Sequence, residues 1–179
     1  LLEHPVIQAV SFVGSTPIAE HIYSESSRYG KRCQALGGAK NHLVVMPDAD
    51  TTEVVNALTG SAFGSAGERC MAISVAVCVG QSAADETVEA LKAASESLKI
   101  GPGLDETEEP DLGPLITQEH KNKVASYIEA GIEQGATLVL DGRQETTATQ
   151  DDGFFIGPTI FDFVTPSMSI YQDEIFGPV

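Results

Sequence analysis

The chain has 179 residues, 42% of them apolar, enough for a core of its own, and carries 26 acidic against 10 basic side chains for a net charge of −16. Such acidity repels phosphate backbones and anionic lipid, so no nucleic acid or membrane partner is expected, and no apolar run reaches the about eighteen residues that a membrane span needs. Three widely spaced cysteines and no basic-then-apolar opening argue against a disulfide framework and a secretory signal, which makes a reducing cytoplasm the expected compartment.

Val6 to Val13 reads as a buried parallel strand that runs into Gly14-Ser15-Thr16-Pro17, with Pro17 suited to the first helical position and Thr16 to the N-cap. A strand, a Gly-Ser-Thr turn and a helix start can bind an anion, because unpaired backbone N–H groups point outward there. Many helices begin this way and bind nothing, so these residues alone leave the choice open. Lys31 to Leu36 reads as a short strand closed by Gly37-Gly38-Ala39-Lys40-Asn41. The glycine pair suits a tight crossing against a ligand or another segment, and equally a plain turn. After a strand over His42 to Met46, Asp50 to Glu53 has capping-box character, ahead of Val54, Ala57, Leu58, Ser61 and Ala62 on one helical face.

Gly64-Ser65-Ala66-Gly67-Glu68-Arg69-Cys70 then sets a cysteine in a turn of small and charged residues, between that helix and an apolar run from Ile73 to Val79. Glycines let backbone approach a ligand closely, and Arg69 could steady a thiolate, so Cys70 is the candidate nucleophile. Cys33 and Cys78 read as inert, sheltered thiols. A helix over Ala83 to Leu98 follows, with Val88, Leu91 and Leu98 as its core stripe and Asp85, Glu86, Glu89 and Glu96 solvated. Gly101-Pro102-Gly103 breaks it, and Asp105 to Asp111 reads as an acidic surface loop. Thr117 caps the next helix, whose buried side is Val124, Tyr127, Ile128 and Gly131, and Gly135 ends it before a strand over Thr137 to Leu140.

Gln144 to Gly153 reads as a surface excursion, and Phe154 to Val164 as a strand bent at Gly157-Pro158. Tyr171-Gln172-Asp173-Glu174-Ile175-Phe176-Gly177-Pro178 joins acids to an aromatic beside a Gly-Pro turn; it could hold a sugar and stack on a ring, or end a helix that packs its Phe. His4, His21, His42 and His120 are scattered without ligand spacing, so no metal is expected. The chain opens mid-pattern at Leu1-Leu2-Glu3 and closes at Gly177-Pro178-Val179 without capping segments, which suggests a piece of a longer protein.

Four of these stretches, in this order, resemble motifs of the NAD(P)-dependent aldehyde dehydrogenase superfamily: Phe12-Val13-Gly14-Ser15-Thr16, Leu36-Gly37-Gly38 with Lys40, Gly67-Glu68-Arg69-Cys70, and Asp173-Glu174-Ile175-Phe176-Gly177-Pro178. The resemblance implies an α/β fold: a three-layer catalytic domain with a mostly parallel sheet over residues 39–179, incomplete at its C-terminus, preceded over residues 1–38 by the end of a Rossmann-like dinucleotide-binding domain. It implies Cys70 as the nucleophile toward an aldehyde and NAD as hydride acceptor. Gly14 and Ser15 would meet the cofactor phosphates, Gly37 the nicotinamide end, Glu174 the ribose, and Phe176 the nicotinamide ring.

Hydrolytic members carry a glutamate before Leu-Gly-Gly as the base that activates water; Ala35 stands there, preceded by Gln34, and a methyl group takes no proton. Together with Gly38-Ala39-Lys40-Asn41-His42 and Gly67-Glu68-Arg69-Cys70-Met71-Ala72, this makes the chain similar to the CoA-acylating methylmalonate-semialdehyde dehydrogenases. Coenzyme A as acyl acceptor, malonate or methylmalonate semialdehyde as substrate, and a homo-oligomeric, tetrameric full-length protein are then implied. A hydrolytic enzyme using another base and an inactive fold-only fragment are the alternatives. Ala19, where many members have glycine, is a minor departure.

Overall fold

A computed structural model describes residues 1–104, 109–144 and 153–179. The chain divides into two compact units, Leu1–Ala39 and Lys40–Val179. In the first, strand β1 (Ala9–Val13) leads through Gly14 and Ser15 into helix α1 (Thr16–Arg28), and β2 (Arg32–Leu36) returns parallel to β1 with Val13 opposite Leu36. The strand expected from Val6 starts only at Ala9, because the residues before it turn: the Ile7 N–H donates to His4, and Lys31 Nζ donates to the carbonyls of His4 and Ile7 at 2.6 Å each. Ser15, not Thr16, is the N-cap of α1. The Thr16 hydroxyl instead accepts the Gly38 N–H at 3.0 Å, fastening the end of β2 to the start of α1. Past the end of α1, Gly30 lies at φ +65°, the left-handed conformation that glycine reaches most cheaply.

In the second unit β3 (Asn41–Val45) runs parallel to β4 (Ile73–Cys78), and between them lies α2 (Thr51–Leu58), capped by the Asp50 carboxylate, which accepts the N–H groups of Thr52 and Glu53. The expected apolar face of α2 is shifted: Val55 and Leu58 are buried and Ala57 is exposed. A wider π turn over Thr59–Phe63 follows α2 at once. Helix α3 (Gln81–Glu96) packs on α2 and buries Thr87 and Ser95 more fully than the half-buried Val88 and Leu91, while Asp85, Glu86, Glu89 and Glu96 face solvent as expected. The Ser95 hydroxyl returns to the Leu91 carbonyl at 2.7 Å, which lets a polar residue sit in the packed face.

Helix α4 (Gln118–Glu133) starts at Thr117, whose hydroxyl accepts the His120 N–H. Val124 and Ile128 on its inner face have no exposed surface, burial worth about 2 kcal/mol for each side chain. Gly135 (φ +93°) follows its end, and β5 (Thr137–Leu140) pairs antiparallel with β6 (Ile160–Asp162). The strand expected over Phe154–Val164 forms only at 160–162, because the preceding backbone bonds elsewhere: Gly157 N–H to the Gly142 carbonyl and Thr159 N–H to the Pro178 carbonyl, both at 2.8 Å. A short α5 (Ser169–Gln172) precedes the closing segment. The acidic loop expected over Asp105–Asp111 and the excursion expected over Gln144–Gly153 fall mostly on residues outside the described ones.

Among the described residues helices and strands are interspersed, and two of the three strand pairs are parallel, an α/β arrangement. The main core of the second unit gathers Leu115, Val124, Ile128, Ile156, Met168, Ile170 and Ile175 around α4, and Ala66 joins it from the turn that carries Cys70. Among the described residues no helix is long and apolar enough to cross a membrane.

Candidate active site

Beyond the π turn the backbone passes through three successive left-handed residues, Ser65 (φ 53°), Ala66 (φ 52°) and Gly67 (φ 70°). For residues with a Cβ this costs about 1–2 kcal/mol each, so surrounding structure must enforce it. Ala66 is anchored in the main core at 1% exposure, and Gly67 lies so close to the Gly177 carbonyl that a Cβ would overlap it. At Gly64 a Cβ would run into the Arg69 guanidinium. The glycines of this turn therefore admit the chain's own atoms, whereas the sequence suggests room for a ligand.

Cys70 is exposed at the end of the turn, and Cys33 and Cys78 are half-buried in strands. Asn41, at the start of β3, holds the turn from below: its Nδ2 donates to the carbonyls of Cys70 and Ala72, each at 2.9 Å. Arg69 has a different task from the one expected. Its guanidinium donates to the carbonyls of Gly60 at 2.5 Å and Ser61 at 3.3 Å, tying the turn to the π segment that precedes it.

Against this turn lies the segment from Tyr171 to Pro178, fastened almost residue by residue. Tyr171 Oη meets His42 Nε2 at 3.1 Å, and the Asp173 carbonyl accepts from Lys40 Nζ at 2.9 Å. The Asp173 carboxylate accepts from Tyr127 Oη at 3.3 Å, and the Phe176 carbonyl accepts from His120 Nε2 at 2.6 Å. Burial pulls Lys40 down to about 8, opposed by the negative charges of Asp173 and Glu174; burial, then the Asp173 charge, pushes Tyr127 up. Glu174 is half-buried, whereas Phe176 keeps 38% of its surface exposed and sits at φ +60°. An aromatic ring held at the surface by a strained backbone suits stacking on a flat ligand ring, and a half-buried carboxylate beside it suits a pair of sugar hydroxyls.

In the first unit Gly14, Ser15 and Gly37 come together around the start of α1. The Gly14 N–H donates to the Leu36 carbonyl at 3.1 Å, and a Cβ on Gly37 would fall 2.8 Å from Thr16 Oγ1, so the glycine pair is a tight crossing of one segment on another. Ser15 is exposed, and its hydroxyl makes no capping bond to α1. Pro17 has no N–H, and the first intrahelical bond runs from Ala19 to Ser15, so the first turn presents unpaired donors that fit a phosphate. Ala35 lies in β2 opposite Phe12. The start of α1 in the first unit thus fits a phosphate, and the Glu174–Phe176 segment of the second unit, taken by itself, fits a sugar joined to a flat ring.

Asn41, His42, Tyr127 and His120 are absent from the sequence-based candidates. Asn41 and His42 follow the glycine pair directly, so the motif that contains them was the available signal. His120 and Tyr127 carry none, because their partners lie 56 and 46 positions away.

Residues 1–179 match the profile described as the aldehyde dehydrogenase family. A malonate-semialdehyde dehydrogenase of Pseudomonas aeruginosa is 56% identical over all 179 residues, which make up 36% of that protein. The crystal structure of a methylmalonate-semialdehyde dehydrogenase from Oceanimonas doudoroffii superposes with a TM-score of 0.94 at 57% identity, covering 99% of this chain and 36% of the other. A Sinorhizobium meliloti chain solved in complex with NAD gives 0.94 at 54% identity, with the same coverage. The chain therefore spans little more than a third of these relatives.

Proposed function

The chain belongs to the aldehyde dehydrogenase family, and from that premise we propose that the full-length protein carrying it oxidises malonate or methylmalonate semialdehyde with NAD and passes the acyl group to coenzyme A. The observation that carries this reading is the meeting, within one unit, of the exposed Cys70 turn and the Glu174–Phe176 segment, locked backbone to backbone at Gly67 and Gly177. Malonate-semialdehyde dehydrogenases among the relatives and an NAD complex of a 54% identical chain support the substrate class and the cofactor.

Cys70 attacks the aldehyde carbon as thiolate and forms a thiohemiacetal, with its own backbone N–H helping to hold the oxyanion. NAD, when bound, supplies the acceptor for the hydride that leaves this carbon. In the second unit Glu174 would accept from the nicotinamide ribose hydroxyls and Phe176 would pack on the ring; in the first, Gly14 and Ser15 would meet the phosphates and the Gly37 backbone would be offered to the nicotinamide end. The C–C bond from the α carbon of the Cys70 thioester to the substrate carboxylate breaks to release CO2, its electron pair passes into the thioester enolate, and the α carbon takes a proton from water; the thiolate of coenzyme A attacks the thioester carbonyl, which returns the Cys70 thiolate and gives acetyl- or propanoyl-CoA. Ala35 supports the assignment of an external thiol as acyl acceptor, since a methyl group cannot activate water.

The test follows NADH absorbance with the full-length protein, malonate semialdehyde and NAD. We expect a burst of about one NADH per subunit without coenzyme A and steady turnover only with it. Equal turnover without coenzyme A, yielding a free acid, would overturn the reading.

A further inference from the structure

His120 stands on the first turn of α4 and reaches from it toward both halves of the site. Its place is fixed from behind, by its own N–H on Thr117 Oγ1 and by the fully buried Val124 and Ile128 further along the helix. Its ring Nε2 is 2.6 Å from the Phe176 carbonyl oxygen. A carbonyl can only accept, so Nε2 carries the hydrogen, which sets the tautomer. The same Nε2 lies 3.5 Å from Glu68 Oε1, two residues before Cys70, and Glu68 Oε1 also accepts the Ile116 N–H at 3.4 Å. The His120 and Phe176 rings meet edge to face, with centroids 6.4 Å apart. Both members of the pair are mostly sheltered, His120 at 17% and Glu68 at 16% side-chain exposure.

We infer that His120 is a positioning residue: it holds Phe176 in its left-handed conformation and, through Glu68, couples the cofactor segment to the turn that carries Cys70. Phe176 has a Cβ and no glycine-like freedom at φ +60°, so its backbone relaxes unless its carbonyl is held where it is. His120 supplies the donor that holds it. Glu68 cannot substitute, since a carboxylate has no hydrogen to give to a carbonyl; it steadies the imidazole from the nucleophile side. The inference rests on the reading of Glu174 and Phe176 as the groups that hold the nicotinamide end of NAD.

The test compares full-length wild type with His120→Leu and His120→Gln by amide hydrogen exchange of the 173–179 peptide without cofactor, and by calorimetric titration with NAD. In His120→Leu, exchange at 173–179 should rise about tenfold while 124–136 stays protected, as for a local opening without unfolding. NAD affinity should fall about tenfold, the worth of one well-formed hydrogen bond. His120→Gln places an amide N–H near the same carbonyl and should restore both within about threefold. Unchanged exchange in His120→Leu overturns the clamp, and so does a Gln variant as loose as Leu. Raised exchange with unaltered NAD affinity refutes the positioning role. A wild type that binds no NAD refutes the cofactor reading instead, and exchange then decides the clamp alone.

Discussion

The turn Gly64–Ala72 and the segment Tyr171–Pro178 both hold side-chain-bearing residues in the left-handed region, Ser65 and Ala66 in one and Phe176 in the other, but they are braced differently. The turn is held by its own core anchor Ala66 and by Asn41 and Arg69, which bond to backbone carbonyls, so nothing that braces it uses the Cys70 thiol. The segment is held from outside by four side chains, His42, Lys40, Tyr127 and His120, borne on two neighbouring elements and the residue ahead of β3. A nucleophile needs a fixed backbone and an uncommitted side chain. A ring-stacking segment needs its face set at one angle, and carbonyl and side-chain contacts fix that.

Five substitutions in the full-length protein can break or sharpen this contrast. Cys70→Ala should lower turnover at least about a thousandfold and leave NAD affinity within about twofold, by NADH assay and titration. A large loss of NAD affinity would mean that the Cys70 side chain itself supports the cofactor segment. Gly67→Ala drives a Cβ into the Gly177 carbonyl at φ +70° and should cost about 3 kcal/mol in urea unfolding, whereas Gly60→Ala, where a Cβ meets nothing within 4 Å, should stay within about 1 kcal/mol.

Asn41→Ala removes both anchors beneath the Cys70 turn and should reduce kcat about 10- to 30-fold, with KM for NAD within about threefold, in steady-state kinetics. Lys40→Met has a pH dependence of defined sign. Folded Lys40 titrates at about 8 and the unfolded side chain at 10.5, so folding releases its proton between those values. Wild type should therefore gain stability over Lys40→Met as pH rises from about 8 toward 10.5, with a flat difference below 8. A difference that is level throughout would show that Lys40 is not buried as described.

Much of this was legible in the residues. The β1–α1–β2 unit, the Asp50 and Thr117 caps, the inner face of α4 and the exposure of Cys70 follow from local patterns of 2 and 3.6 residues and from turn chemistry. The misses have different causes. On α2 the pattern places one small apolar residue, Ala57, inside although Val55 takes the buried position, and the bonds of Arg69 go to carbonyls of a π turn that has no composition signal. His120 and Tyr127 act on a segment far along the chain, and no spacing rule relates them to it.

Acid-quenched peptide mass spectrometry tests the central claim most directly, using the full-length protein mixed with semialdehyde and NAD but no coenzyme A. An acyl group on the Cys70 peptide, removed when coenzyme A is added before the quench, is the result predicted. NADH formation with no adduct on Cys70, or with the acyl group on Cys33 or Cys78, would contradict it.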